Sequence, residues 1–399
     1  MAQATRLQSL DVLRGATIAA MMLVNKQGNH DGYAALQHVP WDGATPTDWI
    51  FPFFLFMVGI AMPFSIASRR RQGATNADIM RHALTRALIL FALGVFEKNF
   101  PFLNSTLETF RIPGVLQRIA FCYLAGTALL LYASRRVQAI VAGVILVGYW
   151  VLLAFVPVPG VGVVPMTEAF ASQNWTAWLD RLTMGRHLGY GGHTWDANGL
   201  LSSIPAIVTL QAGMLASWML GAGLTTKTIG RLAAVGAIGV AVGWVWGGFQ
   251  PLIGFGIIGE PAVTGAWVVP INKMLWSSSF VLYTAGLGFL SLAACLWLVD
   301  RNRTDATPPR WTMPFIVLGT NSIFAYLASG LFSRVLSRLW TIAGPDGTRI
   351  SSWDWAQAHI FAPLVPSPPL ASLAHSIAYA LLWIAICAWL YQRRIFIRL

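Results

Sequence analysis

Long apolar runs alternate with shorter polar connections along the whole chain. A run of roughly 17 to 25 apolar residues is long enough to cross about 30 Å of hydrocarbon as a helix, and a helix satisfies its own backbone there. About ten such runs recur, near residues 9–25, 48–67, 82–97, 112–133, 137–156, 199–222, 229–248, 277–299, 312–332 and 370–391. The pattern predicts an all-α fold, a polytopic membrane helix bundle. With no soluble stretch, low-complexity linker or clear internal repeat, residues 1–399 read as a single membrane-embedded domain.

Composition agrees with the pattern. Of 399 residues, 56% are hydrophobic and only 11% charged, and the mean hydropathy is +0.60, outside the range of ordinary soluble domains. The charge supplies an orientation. Arg69, Arg70, Arg71, Arg81 and Arg86, then Arg135 and Arg136, Lys227 and Arg231, Arg301, Arg303 and Arg310, and finally Arg393, Arg394 and Arg398 fall in alternate connections or the C-terminal tail. By the positive-inside rule these are cytoplasmic, and both termini are expected there. The net charge of +12 is thereby explained by the bilayer, and nucleic acid is not expected as a partner, because no basic face gathers in a soluble segment. The first run carries Arg14, leads into Lys26 and lacks a small-x-small cleavage pattern, so it is expected to remain as a helix. Cys122, Cys295 and Cys387 stand alone in apolar runs, without metal-ligand spacing, and read as core filling; no metal site is expected.

On this orientation the long connections 26–47, 157–198, 249–276 and 341–369 are extracytoplasmic, and they are rich in Gly, Pro and Trp. The first holds His38, in His38-Val39-Pro40-Trp41-Asp42-Gly43, leading to Asp48 at the head of the second helix. Imidazole is the one unperturbed side chain that takes and returns a proton near neutral pH. A carboxylate such as Asp48 can orient it, although Asp near a helix start also serves as a cap. Asn25, closing the first run, offers an amide for an oxyanion or, equally, a helix cap. The 157–198 connection places Trp195 and Asp196 among other aromatics, a mixture able to stack on a sugar and bind its hydroxyls, as Trp41 also is; an interfacial aromatic belt explains a single Trp as well.

Charged and amide groups within the apolar runs also require explanation. Arg118 sits well inside the fourth run, where a charge costs at least about 2.5 kcal/mol unless it faces a cavity or partner. Arg14 can snorkel to the cytoplasmic edge or pair with Asp11. Asn272 and Lys273 precede the eighth run, and Asn321 interrupts the ninth; such groups either touch ligand or hold helices together.

The ordered blocks Arg6-Leu7-Gln8-Ser9-Leu10-Asp11-Val12-Leu13-Arg14-Gly15, His38 to Gly43 with Asp48 and Phe51-Pro52-Phe53-Phe54, and Arg111-Ile112-Pro113-Gly114-Val115-Leu116-Gln117-Arg118 make the chain resemble the heparan-alpha-glucosaminide N-acetyltransferase family and its bacterial relatives. Trp195-Asp196 with Gly199 to Pro205, Pro270 to Ser277, and Gly319 to Tyr326 extend the match across nearly the whole chain. The resemblance implies transfer of acetyl from cytosolic acetyl-CoA to the amino group of an amino sugar or glycan across the membrane, with His38 at the centre, as general base or as transient acetyl carrier, and Asp48 and Asn25 assisting. Arg6, Arg14, Arg118 and Asn321 are the candidates for coenzyme contact; Trp41, Trp195, Asp196, Asn272 and Lys273 are those for the acceptor. It further implies a homodimer, and the chain looks like a protein of a bacterial inner membrane. The rivals are a sugar transporter or exporter, against which the missing repeat weighs, and a non-catalytic assembly subunit.

Overall fold

The computed structural model describes residues 7–29, 32–103, 106–221, 223–301, 308–343 and 348–397; Arg6, Arg303 and Arg398 lie outside them. In chain order the helices are α1 (Gln8–Asn25), α2 (Pro46–Arg71), α3 (Asn76–Asn99), α4 (Val115–Tyr132), α5 (Arg135–Phe155), α6 (Trp175–Met184), α7 (Leu200–Leu220), α8 (Thr226–Trp246), α9 (Ser278–Cys295), α10 (Met313–Thr320), α11 (Ser322–Arg334), α12 (Ser352–Ala356), α13 (Ala362–Leu364) and α14 (Pro368–Gln392). Short strands β1 (Gly43–Ala44), β2 (Leu252–Ile253), β3 (Gly256–Ile258), β4 (Thr341–Ala343) and β5 (Arg349–Ser351) lie in the connections.

Eight helices among the described residues are long and apolar enough to cross a membrane: α2, α3, α4, α5, α7, α8, α9 with its extension to Asp300, and α14. They match eight of the expected runs. The run near 312–332 departs from expectation, because it is a bent pair, Arg310–Thr320 and Ser322–Leu339, with 76° between the arms. The first run forms α1, whose early turns hold Asp11 and Arg14 and leave it less apolar than the eight.

The chain groups into two compact units. The larger comprises Val39–Asn99 and Asn104–Ala293. Its helices begin where the sequence supplies caps: Ser134 accepts from Val137 N–H, Asn174 from Ala177 N–H and Thr225 from Thr228 N–H, each relieving an orphan donor. Helix α2 lies along α7 at close range, since a Cβ added to Gly59 would run into the Leu210 carbonyl and one on Gly213 into that of Phe56. Small residues let helix backbones approach where lipid supplies no hydrophobic drive. Around this seam Leu55, Cys122, Leu210, Met214, Trp276 and Phe280 are fully buried. Strands β1, β3 and β2 form one antiparallel sheet, with Gly43 opposite Ile258 and Leu252 opposite Ile257.

The smaller unit comprises Met1–His38, Phe100–Leu103 and Ala294–Leu399. Its α1 packs on α10 and α14, again over small residues: a Cβ on Gly15 would meet the Phe315 carbonyl and one on Gly319 that of Asp11. The Asp300 carboxylate accepts from the backbone N–H groups of Gln8 (3.3 Å) and Ser9 (3.0 Å) and so caps α1 from a distant part of the chain.

Candidate functional site

Asp48 is set by the turn that starts α2. Pro46 occupies the first helical turn, and Asp48 reaches back so that its Oδ2 accepts from Thr45 N–H (3.1 Å), Thr45 Oγ1–H (3.2 Å) and Val39 N–H (3.2 Å). This is the capping role. The same carboxylate also binds Lys273, whose Nζ donates to Oδ1 at 3.0 Å. Asp48 is 1% exposed, so the ion pair shares the desolvated environment of a helix start.

Lys273 comes from the tight loop 270–277, which carries several of the site's side chains. Asn272 Oδ1 accepts from Leu275 N–H (2.8 Å), Ser277 Oγ accepts from Asn272 N–H (3.1 Å), and Gly43 N–H donates to Ile271 C=O (2.7 Å), tying the loop to β1. Trp276 is held at φ 52° while fully buried. A bulky residue in that region costs about 1–3 kcal/mol and persists only where its surroundings fix it. Its ring lies beneath the Arg118 guanidinium at 4.6 Å and edge-on to Phe51 at 5.0 Å.

Arg118, expected to face the interior, is 1% exposed. It is held by the head of α7 and the residues just before it: Nη2 donates to Ala197 C=O (2.8 Å) and Ser202 Oγ, and Nε to Ser203 Oγ (3.1 Å), while Nη1 is buried without a partner among the described residues. Asp196, the residue before Ala197, forms a fork with Arg111, at 2.8 Å from Nε and 2.9 Å from Nη2. Gly189 and Asn198 N–H groups complete the Asp196 carboxylate, both at 2.8 Å. Arg111 also covers the Tyr190 ring, Tyr190 stacks on Trp195 (4.7 Å, 21°), and Trp195 meets Trp41 edge-on (5.7 Å, 77°). Seven predicted residues, Trp41, Asp48, Arg118, Trp195, Asp196, Asn272 and Lys273, therefore converge at one end of the helices of the larger unit.

Three members of this cluster had no signal of their own in the sequence. Arg111 opens the block that ends in Arg118, but its partner is 85 positions away. Asp42 follows Trp41, and burial pushes its carboxyl up from 3.8 to about 6, against the pull of the neighbouring Asn272 amide and aided by Glu260 and Glu168. The Asp42 carboxyl and the Asn272 amide face each other, and Asp42 Oδ1 and Asn272 Nδ2 are buried with no further partner among the described residues, which marks a place where a polar ligand would be welcome. Asp180, on α6, is likewise raised by burial to about 7, while its Oδ1 accepts from Leu200 N–H at the head of α7.

The remaining predicted residues belong to the smaller unit. Asn25 is exposed at the last turn of α1, and His38 is exposed at the end of the connector. That connector is stapled: Gln27 Nε2 donates to Leu36 C=O (2.8 Å), Trp353 Nε1 donates to Gln27 C=O (3.2 Å), and Ser372 Oγ accepts from Gly28 N–H (3.1 Å). Close by, His375 lies between the faces of Trp353 and Phe361, at 4.4 and 4.6 Å, with Nδ1 3.1 Å from Gln357 Oε1. Arg14 meets Asp11 at 3.5 Å. Asn321 sits at the bend between α10 and α11, where its Nδ2 donates to Ile395 C=O (3.1 Å) and its Oδ1 accepts from Ile397 N–H (2.8 Å). No described group of three or more His, Cys, Asp or Glu side chains converges as a metal site would.

Fold and site together define a polytopic α-helical membrane protein whose larger unit gathers buried charge and aromatic rings at one end of its helices. No protein-family profile matches the chain. Over 98% of its length it is 26% identical to heparan-alpha-glucosaminide N-acetyltransferase of Homo sapiens and 25% identical to that of Mus musculus. The chain is a relative of these enzymes and spans about three fifths of their length, 59% and 60% respectively.

Proposed function

We propose that the chain is a transmembrane N-acetyltransferase that moves acetyl from cytoplasmic acetyl-CoA to the amino group of an amino sugar or glycan at the extracytoplasmic face of a bacterial inner membrane. The observation that carries this reading is the relatedness over 98% of the chain to two proteins named for that reaction. The convergence of Trp41, Asp48, Trp195, Asp196, Asn272 and Lys273 supports it. In the reaction a C–N bond forms to the acetyl carbon as the C–S bond of the thioester breaks; the amine gives up a proton and the departing thiolate takes one. His38 is assigned the proton transfers, for which imidazole suits neutral pH. Asn25 offers an amide to the developing oxyanion, and Asp48 is assigned the support of the connector through Val39 N–H. Trp41 and Trp195 offer rings to a sugar face, and Asn272 an amide N–H to its hydroxyls.

The direct test is to incubate the purified protein with isotopically labelled acetyl-CoA and a panel of amino sugars and to read the products by mass spectrometry. The expected product is an N-acetyl sugar that carries the label. Folded protein that acetylates none of the panel, yet moves sugar across proteoliposomes without acetyl-CoA, would replace the proposal with a transporter.

A further inference from the structure

A second cluster in the larger unit lies at the opposite end of α2 from Asp48, about 30 Å away at 1.5 Å per residue. Arg69 Nη2 is 2.7 Å from His82 Nε2. A guanidinium has only donors, so the ring nitrogen is the acceptor and the histidine proton sits on Nδ1. Arg69 thus spends a hydrogen bond on a neutral ring and keeps its whole charge. One turn further along α3, Arg86 lies over the Tyr123 ring at 5.0 Å, with its Nε buried and unpartnered. Among the described residues no carboxylate forms an ion pair with Arg69 or Arg86. An arginine that merely snorkelled would carry its head out to water, whereas Arg86 lies over Tyr123, one wall of a small cleft that Arg69, His82, Ser65 and Thr127 line together with Met62, Ile66 and Ile79.

We propose that Arg69, His82 and Arg86 form a seat for a phosphate group, with Ser65 contributing a hydroxyl. Two guanidinium groups without a counter-charge, beside a ring N–H and a hydroxyl, match the tetrahedral oxygens of a phosphate ester. Resting on the acetyltransferase reading, the phosphate is one of the coenzyme's, held on the cytoplasmic side while the thioester arm extends toward the other end of α2. The same chemistry fits the phosphate of an anionic lipid, and the two sources are separable.

The full chain in phosphatidylcholine nanodiscs would be titrated with coenzyme A, its 3′-dephospho form and pantetheine. The comparison set is the parent, Arg69→Gln, Arg86→Gln, their Lys counterparts, and Arg81→Gln as an exposed control outside the cleft. Each Gln variant is expected to weaken coenzyme A binding at least tenfold and leave pantetheine binding unchanged, with partial recovery in the Lys variants and no effect at Arg81. Unchanged coenzyme binding, combined with loss of the thermal stabilisation that phosphatidylglycerol gives the parent, would support the seat and assign it to lipid. Folded Gln variants that match the parent in both responses overturn it. A parent that binds coenzyme A through Arg69 but transfers no acetyl overturns the acetyltransferase reading and leaves the seat standing.

Discussion

Lys273 and Asp48 lie 225 positions apart, and the sequence marked each as chemically interesting without any means of pairing them. The pair matters because a buried carboxylate that loses its counter-charge keeps the desolvation cost, typically about 3–5 kcal/mol. Lys273→Met is therefore expected to lower stability by about 3 kcal/mol, measured as a fall in melting temperature in detergent, and adding Asp48→Asn should restore part of it. Asp42 behaves in the opposite sense. Its folded value of about 6 stands above the ordinary 3.8, so the fold binds that proton more tightly than the unfolded chain does. The resulting stabilisation is present below pH 3.8 and is lost as pH rises through 6. Asp42→Asn, which cannot ionise, is expected to be the more stable protein at about pH 7.5, by about 1 kcal/mol after allowance for its partial exposure, with the gap closing toward about pH 4. Melting curves across that range check the sign. Asp42 was illegible in the sequence because its burial comes from β3 and the 270–277 loop folding around it, and nothing local to Trp41-Asp42-Gly43 announces that.

Helices were the most legible level, since a run of apolar residues of membrane length leaves few alternatives. Two departures have physical reasons. The 312–332 run breaks at Asn321, where polar Gly319-Thr320-Asn321-Ser322 lies in mid-run and the Asn321 amide is satisfied by the backbone of the C-terminal tail. The polar stretch was visible beforehand; the tail that stabilises the bend was not. Helix α1 owes its placement to packing over Gly15 and to the Asp300 cap as much as to apolarity. Helix contact over glycines yields a clean prediction. Gly59→Val would drive a branched side chain into the α7 backbone, and a folded, monodisperse peak in size-exclusion chromatography is expected to be lost. Gly143→Ala, where a Cβ meets nothing, is expected to leave the same profile unchanged.

For the whole molecule, charge and hydropathy along the sequence point to a membrane protein with basic connections on one face, and the described helices agree with the membrane-spanning character. The functional account adds a division of labour along α2: the Asp48 end for acetyl transfer to the acceptor, the Arg69 end for phosphate. Its central claim is that acetyl passes between opposite faces of the bilayer in a reaction that depends on His38. The most direct measurement uses sealed, uniformly oriented proteoliposomes with labelled acetyl-CoA confined to the cytoplasmic face and glucosamine supplied only at the other. The parent is expected to deliver labelled N-acetyl product to the glucosamine side, and folded His38→Ala to deliver none above background. Product at the normal rate from His38→Ala, or none from a correctly oriented parent, would contradict it.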